Sequence, residues 1–207
     1  MTKTAFFSIV LALLFISCQT AQPKKENQKN NPQHSETGAL FIIGGGKRPP
    51  SLVKDLIQLS EIDKDVYIVI LPMSSSEPDT SAYYAKKQFV EQGITNVTAF
   101  NFVKGETPNP QWIDSLRNAK LVYVSGGDQN RFMDIVKETV IYDAMHQAYK
   151  SGATIAGTSA GAAIMSEKMI TGNEHKHPEY TGNFRTIESA NIEVAEGVGF
   201  TKKLIVD

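Results

Sequence analysis

The stretch Gly157-Thr158-Ser159-Ala160-Gly161 constrains the fold of this chain most strongly. It follows the apolar run 153–156 and precedes a second apolar run, 162–165. A G-x-S-x-G pattern between two such runs is typical of a sharp strand-to-helix turn that presents one hydroxyl to a cleft. The two glycines suit that turn because a Cβ at either position would crowd the turn or the following helix. The pattern therefore predicts a strand, a tight turn carrying Ser159, and a helix.

A turn of this kind suits nucleophilic catalysis. The first amides of the following helix would point to the position where an oxyanion develops after attack by Ser159. The pattern is short, however, and loops of small residues also produce it by chance, so a purely structural turn is the alternative. Its position at the end of an apolar run favours the interpretation as a serine hydrolase.

A second glycine motif, Gly126-Gly127-Asp128-Gln129, follows the apolar run 121–124. Paired glycines at the carboxyl end of a strand let backbone amides approach a ligand closely. Asp128 suits contact with a ligand at this strand end, and it equally suits the N-cap of a helix that starts near Asn130. Both interpretations of Asp128 stay open at this point.

Apolar runs alternate with amphipathic segments from residue 38 onward. Strands are predicted at 39–43, 66–71, 97–102, 121–124 and 153–156, and helices at 51–62, 81–92, 110–119 and 131–150. This alternation predicts a three-layer α/β fold, in which a mostly parallel sheet has helices on both faces. Ligand sites in such sheets lie beyond the carboxyl ends of the strands. The segments that fall there are Gly44–Gly46, Ser74–Ser76, Gly126–Gln129 and Ser159.

The two glycine motifs together resemble the cyanophycinase and dipeptidase E family of serine peptidases, and they match the cyanophycinase branch more closely. The likeness extends to Gly44–Gly46 and to the segment 197–207, so that it covers residues 38–207. The resemblance implies the class I glutamine amidotransferase-like fold, which is flavodoxin-like, with a serine in place of the amidotransferase cysteine. It therefore agrees with the fold predicted from the alternation of apolar runs.

The resemblance also implies roles for individual residues. The nucleophile is Ser159, the oxyanion donors are the amides of Ala160 and of Gly127 or Asp128, and the substrate contacts are Asp128, Gln129 and Asp207. For Asp207, orientation of the family's catalytic histidine is the alternative to contact with a basic substrate group. The implied substrates are aspartyl or β-aspartyl peptides, including the β-aspartyl-arginine units of cyanophycin. Cleavage through an acyl-enzyme needs no metal or organic cofactor. Homodimerisation is left open.

In the family that the chain resembles, the catalytic histidine lies two residues beyond the aspartate that matches Asp207, which is the last residue here. We therefore expect a peptidase domain that is incomplete at its C-terminus, with an inactive binding module or pseudoenzyme as the alternative. His175 and His177 are the remaining candidates for a base or a metal pair, but their surroundings predict a loop without further ligands. His146 falls inside a predicted helix, where a surface or packing role is expected.

The N-terminus predicts export. Lys3 precedes the apolar run 5–16, and Cys18, the only cysteine, follows it. This arrangement resembles a bacterial lipoprotein signal, in which the cysteine is lipidated, and a plain signal peptide or uncleaved anchor is the alternative. We expect a signal peptide at 1–17, a polar tether at 18–37 and the peptidase domain at 38–207.

Charge and motif spacing argue against other classes of function. The formal net charge of −1 gives no support for a nucleic-acid or anionic-membrane surface, so membrane contact is expected only through the lipid anchor. The Gly44–Gly46 segment lacks the further glycine of a dinucleotide fingerprint, because Pro49 occupies that position. These glycines are therefore expected to line the cleft.

Overall fold

The computed structural model describes residues 37–63, 66–179 and 188–207. The predicted signal peptide, Cys18 and the predicted tether up to residue 36 lie outside the described residues. Within the three described ranges, no helix is long and apolar enough to cross a bilayer.

A sheet of five parallel strands forms the centre of the domain. Its strands, numbered in chain order, are β1 (Leu40–Ile43), β2 (Ile68–Leu71), β3 (Val97–Ala99), β4 (Leu121–Val124) and β5 (Thr154–Thr158). Their order across the sheet is β1-β5-β4-β2-β3. Every residue of β2, β4 and β5 is buried, because continuous apolar strands are covered on both faces of a parallel sheet. The predicted parallel α/β sheet is confirmed.

Helices cover both faces of this sheet. They are α1 (Pro50–Leu59), α2 (Pro78–Val90), α3 (Pro110–Arg117), α4 (Gln129–Val136), α5 (Val140–Lys150) and α6 (Ala160–Ala163). Neighbouring strand residues point to opposite faces, and two separate cores result. Ile68 and Ile70 pack with side chains of α1 and α2, whereas Val69 and Leu71 pack with side chains of α3, α4 and α5.

One predicted helix is in fact two. The sequence predicts a single helix over 131–150, but the chain leaves helical geometry after Val136 and resumes it at Val140. Glu138 has a φ of 58°, which no α-helix contains. The Thr139 hydroxyl then accepts a hydrogen bond from the Ile141 amide at 3.2 Å and caps the start of α5.

A two-stranded antiparallel ribbon lies outside the main sheet. It consists of β6 (Lys168–Glu174) and β7 (Ile192–Glu196), and its register shifts between Ile170 and Glu174. The sequence-based strand predictions do not include either strand. Met169 and Thr171 are buried while Lys168 and Gly172 are exposed, so the alternation typical of strands spans only a few residues.

Candidate active site

Ser159 occupies a strained backbone position between β5 and α6. Its φ is 52° and its ψ is −118°, in a region that residues other than glycine rarely adopt. The Ser159 amide donates to the Ile43 carbonyl at 2.9 Å, and the Ser159 carbonyl accepts from the amides of Ala162 and Ala163. Ser159 is exposed although its neighbours in the chain are buried. The predicted strand, tight turn and helix are therefore present.

The two glycines of the motif allow this turn to pack against its surroundings. A Cβ on Gly157 would overlap the carbonyl oxygen of Gly161, and a Cβ on Gly161 would overlap the carbonyl oxygen of Val124 in β4. The turn therefore sits directly on the neighbouring strand, and only glycine at both positions permits this contact. This packing holds Ser159 at the carboxyl end of the sheet.

Two glycine loops face the Ser159 side chain. An ideal Cβ built on Gly45, in the loop after β1, would lie 3.5 Å from the Ser159 Cβ. An ideal Cβ built on Gly126, in the loop after β4, would lie 3.3 Å from the same atom. Because β1 and β4 flank β5 in the sheet, the predicted convergence of these loops on Ser159 is confirmed. On these two sides, the Ser159 side chain faces glycine backbone.

The amides predicted to bind an oxyanion differ in availability. The Ala160 amide is the first of α6 and has no partner within the helix. Gly127 is exposed at a φ of 141°, and within the described ranges its amide makes no hydrogen bond. The Asp128 amide, in contrast, donates to the Ser74 carbonyl at 2.8 Å. Of the two alternatives, the geometry therefore favours Gly127.

Asp128 caps α4. One of its carboxylate oxygens accepts hydrogen bonds from the Asn130 amide at 2.8 Å and from the Arg131 amide at 3.2 Å. The capping interpretation is thus confirmed. The carboxylate is also exposed, so that substrate contact by Asp128 stays a prediction.

The other two predicted substrate contacts lie on different elements. The side-chain amide of Gln129 is half-buried and its Nε2 donates to the Ile170 carbonyl at 3.0 Å. Asp207 is exposed and follows Val206, whose amide donates to the Ser166 hydroxyl at 2.7 Å. Substrate binding by Gln129 and Asp207 stays a prediction.

The histidines within the described residues lie in two places. His146 packs between the rings of Tyr142 and Phe200, and its Nε2 lies 2.9 Å from the Val198 carbonyl oxygen, as expected for a packing role. His175 and His177 are exposed beside the ribbon. In the described ranges no three His, Cys, Asp or Glu side chains are grouped so that they could hold a metal ion.

The ribbon carries a carboxylate held by neutral donors. Glu193 Oε2 accepts hydrogen bonds from the Thr171 hydroxyl and from the Asn173 side-chain amide, both at 2.7 Å. The hydrogen bond from Thr171, with a further one from Asn173, holds the pKa of Glu193 below its ordinary value. The Glu193 carboxylate thus links β7 to two residues of β6.

Asn130 and Arg131 make two contacts at this site that were not predicted from the sequence. Asn130 Nδ2 donates to the Thr171 carbonyl at 3.3 Å, and Arg131 Nη1 donates to the Ser74 carbonyl at 3.0 Å. Each contact joins segments far apart in the chain, and the sequence offers no local signal for it. These residues lie directly after the second glycine motif.

Comparison with known proteins agrees with this geometry. The sequence profile of peptidase family S51 matches residues 40–194. The chain belongs to this family. Its relatives include a cyanophycinase of Trichormus variabilis, 29% identical over 188 residues that make up 88% of this chain and 60% of the relative. A cyanophycinase of Synechococcus elongatus is 27% identical over 86% of this chain and 55% of its own length. The chain thus spans roughly three fifths of the relatives it matches.

Solved structures agree on the fold. A peptidase from an acI-B1 actinobacterium superposes with a TM-score of 0.61 at 22% identity, over 79% of this chain and 65% of that protein. A Listeria monocytogenes protein assigned as a peptidase E gives a TM-score of 0.56 at 17% identity, over 80% and 76% of the two chains. The predicted peptidase family and its fold are therefore confirmed.

Proposed function

We propose that this member of family S51 is a serine peptidase with Ser159 as its nucleophile. The observation that carries the proposal is the position of Ser159, which is exposed at a strained turn between two glycine loops. Strain of this kind persists where the surrounding structure fixes a functional residue. The hydroxyl attacks a peptide carbonyl as a histidine removes its proton. The C–N bond then breaks, the histidine gives the proton to the leaving amine, and water hydrolyses the acyl-enzyme that remains.

The amides of Ala160 and Gly127 are proposed to stabilise the oxyanion. Both stand at the carboxyl end of the sheet beside Ser159, and neither has a backbone partner within the described ranges. In many acyl-transfer enzymes, hydrogen-bond donors that are already oriented toward the developing charge make the largest single contribution to stabilising the transition state.

The base is proposed to be a histidine that follows Asp207 in the full-length protein. His146 is hydrogen-bonded to Val198 and packed between two rings, and His177 Nε2 lies 3.6 Å from a carboxylate oxygen of Glu188, which precedes β7. The proposal of hydrolysis therefore concerns the full-length protein. An inactive peptide-binding module is the second candidate, because the histidines of the described ranges lie on α5 and in the segment after β6.

The proposed substrates are aspartyl or β-aspartyl peptides, in line with the relatives named as cyanophycinases. The test compares hydrolysis of β-aspartyl-arginine with that of α-aspartyl-arginine and alanyl-arginine by the full-length protein and by Ser159→Ala. We expect turnover of an aspartyl peptide that Ser159→Ala abolishes. Tight binding of the peptide without turnover would favour the binding module. The absence of both binding and turnover would contradict the proposed substrate class.

We also propose that the domain is exported and tethered through Cys18. This proposal rests on the sequence pattern of residues 3–18 alone. Metabolic labelling with a fatty acid should tag the wild-type protein and leave Cys18→Ser unlabelled. An unlabelled wild-type protein recovered in the medium would contradict the lipid anchor and leave secretion as the explanation.

A further inference from the structure

The first turn of α4 joins two segments that are distant in the chain. Gln129 Nε2 donates to the Ile170 carbonyl, and Asn130 Nδ2 donates to the next carbonyl, that of Thr171. On its other side, the Ser74 carbonyl accepts from Arg131 Nη1 and from the Asp128 amide. The turn therefore holds both the ribbon and the loop after β2.

The same turn is fixed relative to Ser159. Gly126 precedes it and lies against the Ser159 side chain, while Gly127 packs so closely on the Ser74 carbonyl that a Cβ there would overlap it. Any segment bonded to the start of α4 therefore has a defined position relative to the nucleophile. Through Gln129 and Asn130, that segment is β6.

Gln129 Nε2 lies next to Gly172 of β6. Gly172 has a φ of 84°, and an ideal Cβ built on it would lie 3.6 Å from Gln129 Nε2. The register of the ribbon also shifts between Ile170 and Glu174, where the side-chain amides attach. A register shift bends a strand locally. The hydrogen bond from Gln129 therefore attaches to β6 where the bend of that strand begins.

We infer that Gln129 is a positioning residue: its side-chain amide fixes the β6–β7 ribbon as a wall of the cleft beside Ser159. The inference rests on the proposed function for its effect on turnover, but the attachment itself does not depend on activity. An amide is required at this position because the Ile170 carbonyl oxygen needs a hydrogen-bond donor, and an ionised carboxylate carries no hydrogen to donate. Gln129→Glu should therefore fail as Gln129→Ala does, despite its nearly identical shape.

The test measures amide hydrogen exchange of residues 168–174 in full-length Gln129→Ala and Gln129→Glu. Gln147→Ala, which removes an exposed glutamine of α5, is the matched control. Both Gln129 variants should exchange about threefold to tenfold faster in β6, the size expected when one hydrogen bond is lost, and Gln147→Ala should match wild type. Exchange in β4 should stay unchanged in all three variants, which shows that the domain is folded.

Kinetics separate positioning from a direct role in the chemistry. For an aspartyl peptide, KM should rise about fivefold or more in both Gln129 variants, while kcat stays within about twofold. Labelling of Ser159 by a small phosphonate should also stay within about twofold of the wild-type rate, because the reagent does not need the ribbon. If a Gln129 variant fails to fold, Asn130→Ala takes its place in the test, because it removes the neighbouring hydrogen bond to the Thr171 carbonyl. Asn130→Ala should then show the same faster amide exchange in β6.

Unchanged exchange in β6 would overturn the inference, and a raised KM with unchanged exchange would assign Gln129 to direct contact with the substrate. A wild-type protein whose Ser159 resists labelling would instead contradict the proposed function. The exchange measurement would still decide whether Gln129 positions the ribbon, so the two failures are distinguishable.

Discussion

Gly126 stands directly against the nucleophile candidate Ser159: an ideal Cβ on Gly126 would be 3.3 Å from the Ser159 Cβ and 3.2 Å from the Thr158 carbonyl oxygen. Both distances are shorter than ordinary van der Waals contacts, so an alanine would have to displace its neighbours by a few tenths of an ångström. Both atoms, the Thr158 carbonyl oxygen and the Ser159 Cβ, move only with the backbone of the turn between β5 and α6. The absence of a side chain at position 126 therefore leaves the hydroxyl in its place.

Gly126→Ala should lower activity more than stability. The φ of Gly126 lies outside the left-handed region, so alanine adopts the backbone conformation without strain. A displaced nucleophile should reduce kcat at least about tenfold, since misplacements of this order disturb attack geometry. Gly44→Ala is the matched control because its Cβ would meet nothing within 4 Å. Equal kcat values for the two variants would contradict the importance of this contact.

Ser159→Gly should stabilise the fold while it removes activity. Glycine adopts a φ of 52° with a ψ of −118° without the penalty that serine incurs, which is on the order of 1–3 kcal/mol. For a domain of this size the thermal midpoint should rise by roughly 2–4 °C for each 1 kcal/mol gained. Ser159→Ala keeps the Cβ and should melt close to wild type. A lower midpoint for Ser159→Gly would show that the turn stores no strain.

Substitutions of Asp128 should separate its cap from a role in substrate binding. Asp128→Ala removes both hydrogen bonds to the start of α4 and should cost about 1 kcal/mol of unfolding free energy. Asp128→Asn keeps a capping oxygen and should retain most of that stability. If the carboxylate binds substrate, Asp128→Asn still raises KM. Wild-type kinetics in Asp128→Asn would restrict Asp128 to the cap.

The ribbon should loosen in acid. The folded-state pKa of Glu193 is depressed, so its contribution to stability is present above the ordinary value of 4.5 and is lost as the pH falls through the lower folded value. Amide exchange of β6 and β7, corrected for the intrinsic pH dependence, should therefore accelerate below about pH 4.5. Glu193→Gln has no carboxylate to protonate and should show a flatter profile. Parallel profiles for both proteins would exclude Glu193 as the cause.

Local patterns predicted much of the main sheet and the position of Ser159. The continuous apolar runs at β2, β4 and β5 indicate buried parallel strands, and the glycine spacing around Ser159 reports a steric requirement of the turn itself. Such signals lie within a few residues of the structure that they specify.

Longer-range features were not predictable in the same way. The ribbon is attached by hydrogen bonds from Gln129 and Asn130 to carbonyls 41 residues further along the chain. The break after Val136 depends on a positive φ at Glu138, a residue type that ordinarily favours helices. The attachment of the ribbon depends on tertiary contacts that the local sequence does not encode, whereas the break carries one local signal, the Thr139 hydroxyl that caps α5.

Covalent labelling of the full-length protein tests the central claim most directly. The protein would be treated with a fluorophosphonate, digested and analysed by mass spectrometry, with Ser159→Ala as the control. We predict one adduct, on Ser159, and an aspartyl peptide should suppress its formation. The loss of hydrolytic activity should be proportional to the fraction of Ser159 that is labelled. An adduct on a different residue, or full hydrolytic activity in Ser159→Ala, would contradict the assignment of Ser159 as the nucleophile.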